Sequence, residues 1–184
     1  MRRLNEVSDS EIEDFLGKGW LTHDGMWFYH TYLDSGMDKA NRVNREAIRS
    51  LAAVEMTRAR KVLEVADEDL RTFEGLQAFM SDALEMILPE SVLSRAEFTF
   101  VSPNVFHWEW EDGDCFAYKA MKQLGVIDEY VCGVMFRIEC WLEHLGVPYT
   151  VEPAIEKCIM HETGRCRGDF TIYFEGASLR SDPL

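Results

Sequence analysis

The sequence lacks the features that mark several large classes of protein. It has 19 Lys and Arg against 33 Asp and Glu in 184 residues, a formal charge of −14, so it has no excess of basic residues to hold nucleic acid. No apolar run approaches the roughly 20 residues that span a bilayer. The basic start Met1–Asn5 is not followed by the apolar stretch of a secretory signal. We therefore expect a cytoplasmic protein with neither nucleic acid nor a membrane as partner.

Short motifs of common enzyme classes are also absent. The chain contains no G-x-x-x-x-G-K-[ST], no G-x-G-x-x-G after a strand, no H-E-x-x-H and no G-x-S-x-G. These patterns place phosphate-binding backbone, zinc-binding histidines or a nucleophilic serine in a fixed geometry. Their absence removes most support for nucleotide-dependent enzymes, zincins and α/β-hydrolases, and we expect no nucleotide cofactor.

Hydrophobic spacing predicts a mainly helical first half. Ser8 and Glu11 form a capping box that starts the first helix, and Gly17 and Gly19 are expected to end it. Gly36 is expected to separate a short aromatic helix from a long one. The predicted helices of this half cover about 8–17, 25–33, 38–65 and 69–87.

The second half changes to strand alternation. Aromatic residues alternate with polar ones over 97–101 and 105–111, on either side of a Ser-Pro-Asn turn at 102–104, which predicts a β-hairpin. Helices are predicted at about 115–124 and 129–145, and strands at about 149–160 and 169–175. We therefore predict one α+β domain over 1–184, helical over 1–90, with a four-stranded antiparallel sheet packed against helices over 91–184.

Five cysteines are present, all in the last 70 residues. An odd number without an export signal argues against a disulfide framework, so reduced thiols are expected. Cys140 lies at helical spacing from apolar residues and is expected to be core. The other four are the candidates for chemistry: Cys115, Cys132, Cys158 and Cys166.

One compact pattern is typical of a metal site. Cys158, His161 and Cys166 give the spacing C-x2-H-x4-C, and thiolates with imidazole suit zinc or another thiophilic metal. Cys115 or Cys132 would add a fourth ligand; the set we predict is Cys115, Cys158, His161 and Cys166. The alternative is that Cys158 is a small buried strand residue and that the other two are loop residues without a shared role.

Two of the cysteines are predicted at helix starts. Cys115 and Cys132 would lie in the first turns of their helices, where the helix dipole lowers a thiol pKa. We expect at least two of the four thiols to face a common pocket. Cys132 is a candidate nucleophile, and His107, between carboxylates on its strand, is a candidate general base. The alternative for His107 is an ordinary exposed strand histidine.

Arginine and aromatic residues suggest a place for a small anionic ligand. Arg165 and Arg167 flank Cys166, and guanidinium groups match carboxylates; Trp108 is included as a substrate contact. The alternatives are charge balance against Glu162 and Asp169, and a core or dimer-face role for the tryptophan. A homo-oligomer is left open.

Two stretches resemble a known family. One combines the sequence of residues 23–28 (HDGMWF) with that of 36–40 (GMDKA), and the other places Cys115, Cys132, Cys158 and Cys166 ahead of an alternating strand. This resembles the L-2-amino-thiazoline-4-carboxylic acid hydrolase-like family and its cytosolic relatives. The C-terminal part also resembles 4-vinyl reductase-type small-molecule-binding domains, which pair an antiparallel sheet with helices.

The resemblance implies a hydrolase that opens the C=N bond of a small anionic C–N heterocycle. Such a reaction needs an activated water and a proton donor. On residue chemistry, a metal held by thiolates with one open position would activate the water, and His107 or His161 would assist. The alternative is a non-catalytic domain that holds a small molecule or a metal as a sensor. A third hypothesis is a purely structural protein whose aromatic residues form the core.

Overall fold

A computed structural model describes residues 1–101 and 103–174 of the chain. Ser102 of the predicted turn and Glu175, the predicted end of the last strand, lie outside these residues. The helices and strands follow in two lists. The helices are α1 (Asp9–Ser35), α2 (Met37–Val62), α3 (Phe73–Ile87), α4 (Glu90–Leu93), α5 (Phe116–Gln123), α6 (Val134–His144) and α7 (Ile159–Thr163). The strands are β1 (Ala96–Val101), β2 (Val105–Trp110), β3 (Tyr149–Glu152) and β4 (Cys166–Ile172).

The four strands form one antiparallel sheet in the order β1-β2-β4-β3. The sheet lies in the C-terminal half and packs with helices, so the predicted α+β class is confirmed. The predicted hairpin over 97–111 is also confirmed, as strands β1 and β2. None of the described helices has the combination of length and apolar character needed to cross a membrane.

The first helix is longer than predicted. The capping box is present, with the Ser8 hydroxyl accepting from the Glu11 N–H, but α1 passes through Gly17 and Gly19 and ends only at Gly36, whose φ is +79°. The predicted break near residue 17 and the separate helix at 25–33 are therefore wrong. Glycine lowers helix stability by only about 1 kcal/mol, and the packing of a long helix offsets this cost. Gly17 itself packs closely, because a Cβ there would lie 2.5 Å from Cγ of Pro89.

Alternation along the central strands separates a buried face from an outer face. Phe106, Trp108 and Trp110 are buried on β2, and Cys166, Gly168 and Phe170 are buried on β4. The residues between them, such as His107 and Asp169, are half-buried or exposed on the other face. Only glycine fits at position 168, because a Cβ there would collide with the Trp108 indole and lie 2.5 Å from the Glu152 carbonyl oxygen.

Several boundaries in the last third differ from the predictions. The strand predicted to reach residue 160 ends at Glu152, since Pro153 has no N–H to continue a ladder. Cys158 therefore precedes the short helix α7 instead of lying in a strand, and β4 begins at Cys166 instead of residue 169. Helix α6 begins at Val134, so Cys132 lies before its first turn rather than within it.

Candidate functional site

Four of the five cysteines lie at the junctions between elements. Cys115 directly precedes α5, Cys158 directly precedes α7, Cys132 lies two residues before α6, and Cys166 opens β4. All four are buried and none forms a disulfide. We call these four residues the thiol cluster.

Backbone contacts bring the segments of the thiol cluster together. The N–H of Cys132 donates to the carbonyl of Glu156 at 3.1 Å, and Val131 forms an isolated bridge with Lys157, so Cys132 lies beside the segment that carries Cys158. On the sheet side, Cys166 pairs directly with Trp110. The Trp110 ring packs edge-on against Phe116, 6.0 Å between centroids, and Phe116 follows Cys115.

The segment before Cys132 is fixed by a buried asparagine of α2. The Asn41 amide donates to the carbonyl of Glu129 at 2.8 Å and accepts from the N–H of Val131 at 3.1 Å. Asn41 is the one polar residue among the buried side chains of the described core. Sequence analysis missed it; the available signal was an amide at an inward position of a helix otherwise lined by alanine and aliphatic residues.

Burial dominates the ionisation of the four thiols. Together with smaller effects of neighbouring cluster sulfurs, it raises the pKa of Cys115 to about 12 and that of Cys132 to about 11. Burial likewise raises the pKa values of Cys158 and Cys166, and the Cys166 thiol is affected by all three other members. The expected lowering of the pKa by the helix starts is therefore outweighed by burial, and the thiols stay protonated at neutral pH.

Backbone N–H groups at the helix starts nevertheless act on three of the thiols, although the Cys115 and Cys158 side chains form no capping hydrogen bond. Those of Ala117 and Tyr118 act on Cys115, those of Val134 and Met135 on Cys132, and those of Met160 and His161 on Cys158, and each pair lowers the pKa of its thiol against the effect of burial. N–H groups directed at sulfur stabilise thiolates, which is the form that binds metals.

The fourth sulfur has an indole N–H as its nearest donor. Trp108 lowers the pKa of Cys166, but its buried N–H and that of Trp110 have no full hydrogen-bond partner among the described residues. Tryptophans this deeply buried usually find a partner for the N–H. The indole N–H of Trp108 would therefore obtain a hydrogen-bond acceptor if the Cys166 sulfur became charged.

A groove borders the thiol cluster on the side of the helices. It has a volume of about 210 Å³ and lies between α1, α2, α5 and α6. Its wall includes Tyr130, whose hydroxyl accepts from the N–H of Gly133 at 3.0 Å. Burial, with smaller effects of Cys132, Cys115 and Cys158, raises the pKa of Tyr130 well above its usual value. Tyr130 thus belongs to the groove wall and lies two residues before Cys132 in the chain. No pattern in the sequence singles it out.

His161, a predicted metal ligand, contacts a carboxylate at the surface. Its Nε2 lies 2.7 Å from the Oδ1 of Asp128, an exposed contact at the surface. Within residues 1–101 and 103–174 no three His, Cys, Asp or Glu side chains stand as a ready-made set of metal ligands. The metal set of Cys115, Cys158, His161 and Cys166 therefore stays a prediction.

The predicted catalytic pair is divided by the sheet. His107 lies on the outer face, with its Nδ1 2.7 Å from Oδ1 of Asp169 and its Nε2 3.9 Å from Oε2 of Glu109. Cys132 belongs to the buried thiol cluster. The roles of general base and nucleophile stay predictions, but these two residues do not meet at one site.

The three predicted substrate contacts also lie apart. Arg167 is exposed on the outer face opposite Glu109, and Arg165 is 3.9 Å from the exposed Asp112. Trp108 is fully buried on the other face. Arg165 therefore lies near a surface carboxylate, Arg167 lies on the outer face of the sheet, and the tryptophan packs in the core.

Comparison with known proteins identifies a family. The model described as "Family of unknown function (DUF6125)" matches residues 5–162. The chain belongs to this family. The DUF6125 match includes Cys115, Cys132 and Cys158 and ends before Cys166. No curated protein and no solved structure matches the chain, so the resemblance to thiazoline-carboxylate hydrolases stays an expectation.

Proposed function

We propose that this DUF6125 protein binds one thiophilic metal ion, zinc in the first instance, through Cys115, Cys132, Cys158 and Cys166. The observation that carries the proposal is that four buried, free cysteines lie on segments that backbone hydrogen bonds and strand pairing hold side by side. Structural zinc sites commonly use four cysteine thiolates in a tetrahedron, with Zn–S distances of about 2.3 Å.

The surroundings of the sulfurs support this proposal. A metal ion replaces the thiol protons and leaves negative charge on the sulfurs. The backbone N–H groups at Cys115, Cys132 and Cys158 and the indole N–H of Trp108 are the donors that such charge requires. The sulfurs do not form a ready-made ligand set in the described part of the chain, so binding requires them to move toward one another.

A centre with four protein thiolates differs from a hydrolytic one. Catalytic zinc keeps a coordination position for water, whereas structural zinc is closed by protein ligands. The thiol cluster supplies four ligands from the protein, and His107 lies on the other face of the sheet. A metal-binding or sensor domain therefore suits the cluster better than metal-assisted hydrolysis, which stays a prediction of the sequence resemblance.

Metal analysis of variants tests the proposal. The chain is purified under anaerobic conditions, stripped with a chelator and titrated with Co²⁺ as a spectroscopic substitute for zinc, with bound metal also measured by elemental analysis. We expect one ion per chain and the absorption of a tetrahedral cobalt–thiolate complex. Each single Cys→Ser change in the cluster is expected to weaken binding by at least about 100-fold.

Cys140 provides the matched control. It is as deeply buried as the cluster residues, and burial raises its pKa to about 11, but it lies within α6 and not at the junctions that carry the four cluster residues. Cys140→Ser should bind cobalt as the unchanged chain does. The proposal is overturned if the unchanged chain binds no cobalt or zinc, or if the four cluster variants bind as tightly as Cys140→Ser. In that case the thiols are small packing residues of the core.

A further inference from the structure

We propose that the groove between α1, α2, α5 and α6 binds a small, largely apolar molecule with one hydrogen-bond acceptor. This ligand site does not rest on the proposed metal centre, and a chain that takes up no metal would leave it intact.

The lining of the groove defines the ligand. Aliphatic and aromatic side chains such as Met26, Phe28, Ile48 and Met121 make up most of its wall. A volume of about 210 Å³ is below the usual range for drug-sized ligands but above the size of apolar cavities that hold benzene. The groove therefore fits a single-ring molecule.

Tyr130 provides the polar contact. Its hydroxyl accepts from the N–H of Gly133, which leaves its own proton to donate, and no acceptor for that proton lies within hydrogen-bond distance in the described part of the chain. Asn44 adds a half-buried amide to the same wall. A carbonyl or ether oxygen on the ligand would satisfy the Tyr130 donor.

Two glycines of α1 allow a matched test. Gly25 lines the groove, Gly19 does not, and a Cβ at either position would meet nothing within 4 Å. Gly25→Phe places a ring at the groove without a clash at Cβ, and Gly19→Phe makes the same change elsewhere on the helix. The probes are acetophenone and α-methylstyrene, which have the same shape but differ in the carbonyl oxygen.

Binding is measured by NMR of ¹³C-methyl-labelled methionines. We expect saturable shifts at Met26 and Met121 with acetophenone, unchanged by Gly19→Phe and at least tenfold weaker in Gly25→Phe. Tyr130→Phe should weaken acetophenone by about threefold to tenfold and leave α-methylstyrene unchanged. The ligand site is refuted if the unchanged chain shows no saturable shift, or if Gly25→Phe binds as Gly19→Phe does.

Discussion

The N–H of Cys132 donates to the carbonyl oxygen of Glu156 at 3.1 Å, and this bond ties together two segments that are 24 residues apart in sequence. It places Cys132 beside the approach to Cys158. On the other side of Cys132, Asn41 of α2 holds Glu129 and Val131. The position of this cysteine therefore depends on backbone contacts outside its own helix.

Replacement of Asn41 should loosen the cluster. Asn41→Leu leaves the Glu129 carbonyl and the Val131 N–H without their buried partners, and we expect the free energy of unfolding to fall by about 1 to 3 kcal/mol. Cobalt affinity should fall too, since Cys132 is no longer held. Urea denaturation and cobalt titration measure the two effects. Asn41→Asp is the comparison, measured at a pH low enough to protonate the buried carboxyl, which can then donate to Glu129 and accept from Val131; a loss there as large as that of Asn41→Leu would contradict this account.

The thiols of the stripped, folded protein should react slowly with iodoacetamide. At pH 8, a thiol whose pKa is about 11 is ionised in roughly one molecule in a thousand, and burial also limits access. We expect labelling of all five cysteines to be at least about 100-fold slower than in urea, and to accelerate as the pH rises because the thiolate is the reactive form. Mass spectrometry of labelled peptides measures each rate. Rapid labelling of any cluster thiol at pH 8 would show that its sulfur is open to solvent and ionised.

Local patterns predicted the sheet, whereas the site depends on contacts between distant residues. The alternation of Phe106, Trp108 and Trp110 defines β2 and its buried face, which is why the hairpin could be predicted. No spacing in the sequence shows that the segment of Cys132 bridges to Lys157. The same limit applies to His161. It lies within the short helix α7 and contacts Asp128, a contact that its spacing from Cys158 does not reveal.

The glycines of α1 show why the first helix was predicted too short. Sequence alone treats Gly17 and Gly19 alike, as residues that weaken a helix, but only Gly17 has a packing role. Its Cβ would lie 2.5 Å from Cγ of Pro89, whereas that of Gly19 would meet nothing within 4 Å. Tertiary packing therefore extends a helix that local propensity would end.

The two glycines should respond to alanine in opposite directions. Gly19→Ala should raise the free energy of unfolding by about 0.5 to 1 kcal/mol, because alanine favours the helix. Gly17→Ala should lower it by about 1 kcal/mol or more, since Pro89 must move to admit the methyl group. Thermal and urea denaturation of the two variants measure the difference. Equal stabilisation by both would mean that α1 does not pack on Pro89 in solution.

The contact between α2 and α6 contains a charged pair that should be sensitive to the loss of one member. Arg137 binds both carboxylate oxygens of Glu55 at 3.0 Å, and the indole N–H of Trp141 donates to the same carboxylate at 2.8 Å. Both charged side chains are only about one-tenth exposed. Glu55→Leu leaves a buried guanidinium and an indole N–H without partners, and we expect a loss of about 3 to 5 kcal/mol.

The double variant separates the charge from the packing. Glu55→Leu with Arg137→Met removes both charges, so most of the loss should be recovered, as is usual when a buried pair is replaced by apolar residues. Recovery should stay incomplete because Trp141 still lacks an acceptor, and Trp20, whose ring lies 4.5 Å from the Arg137 guanidinium, loses its cation. Urea denaturation of both single variants and the double variant gives the coupling energy. Additive losses would show that the two side chains act independently and that the carboxylate is stabilised by Trp141 and solvent instead.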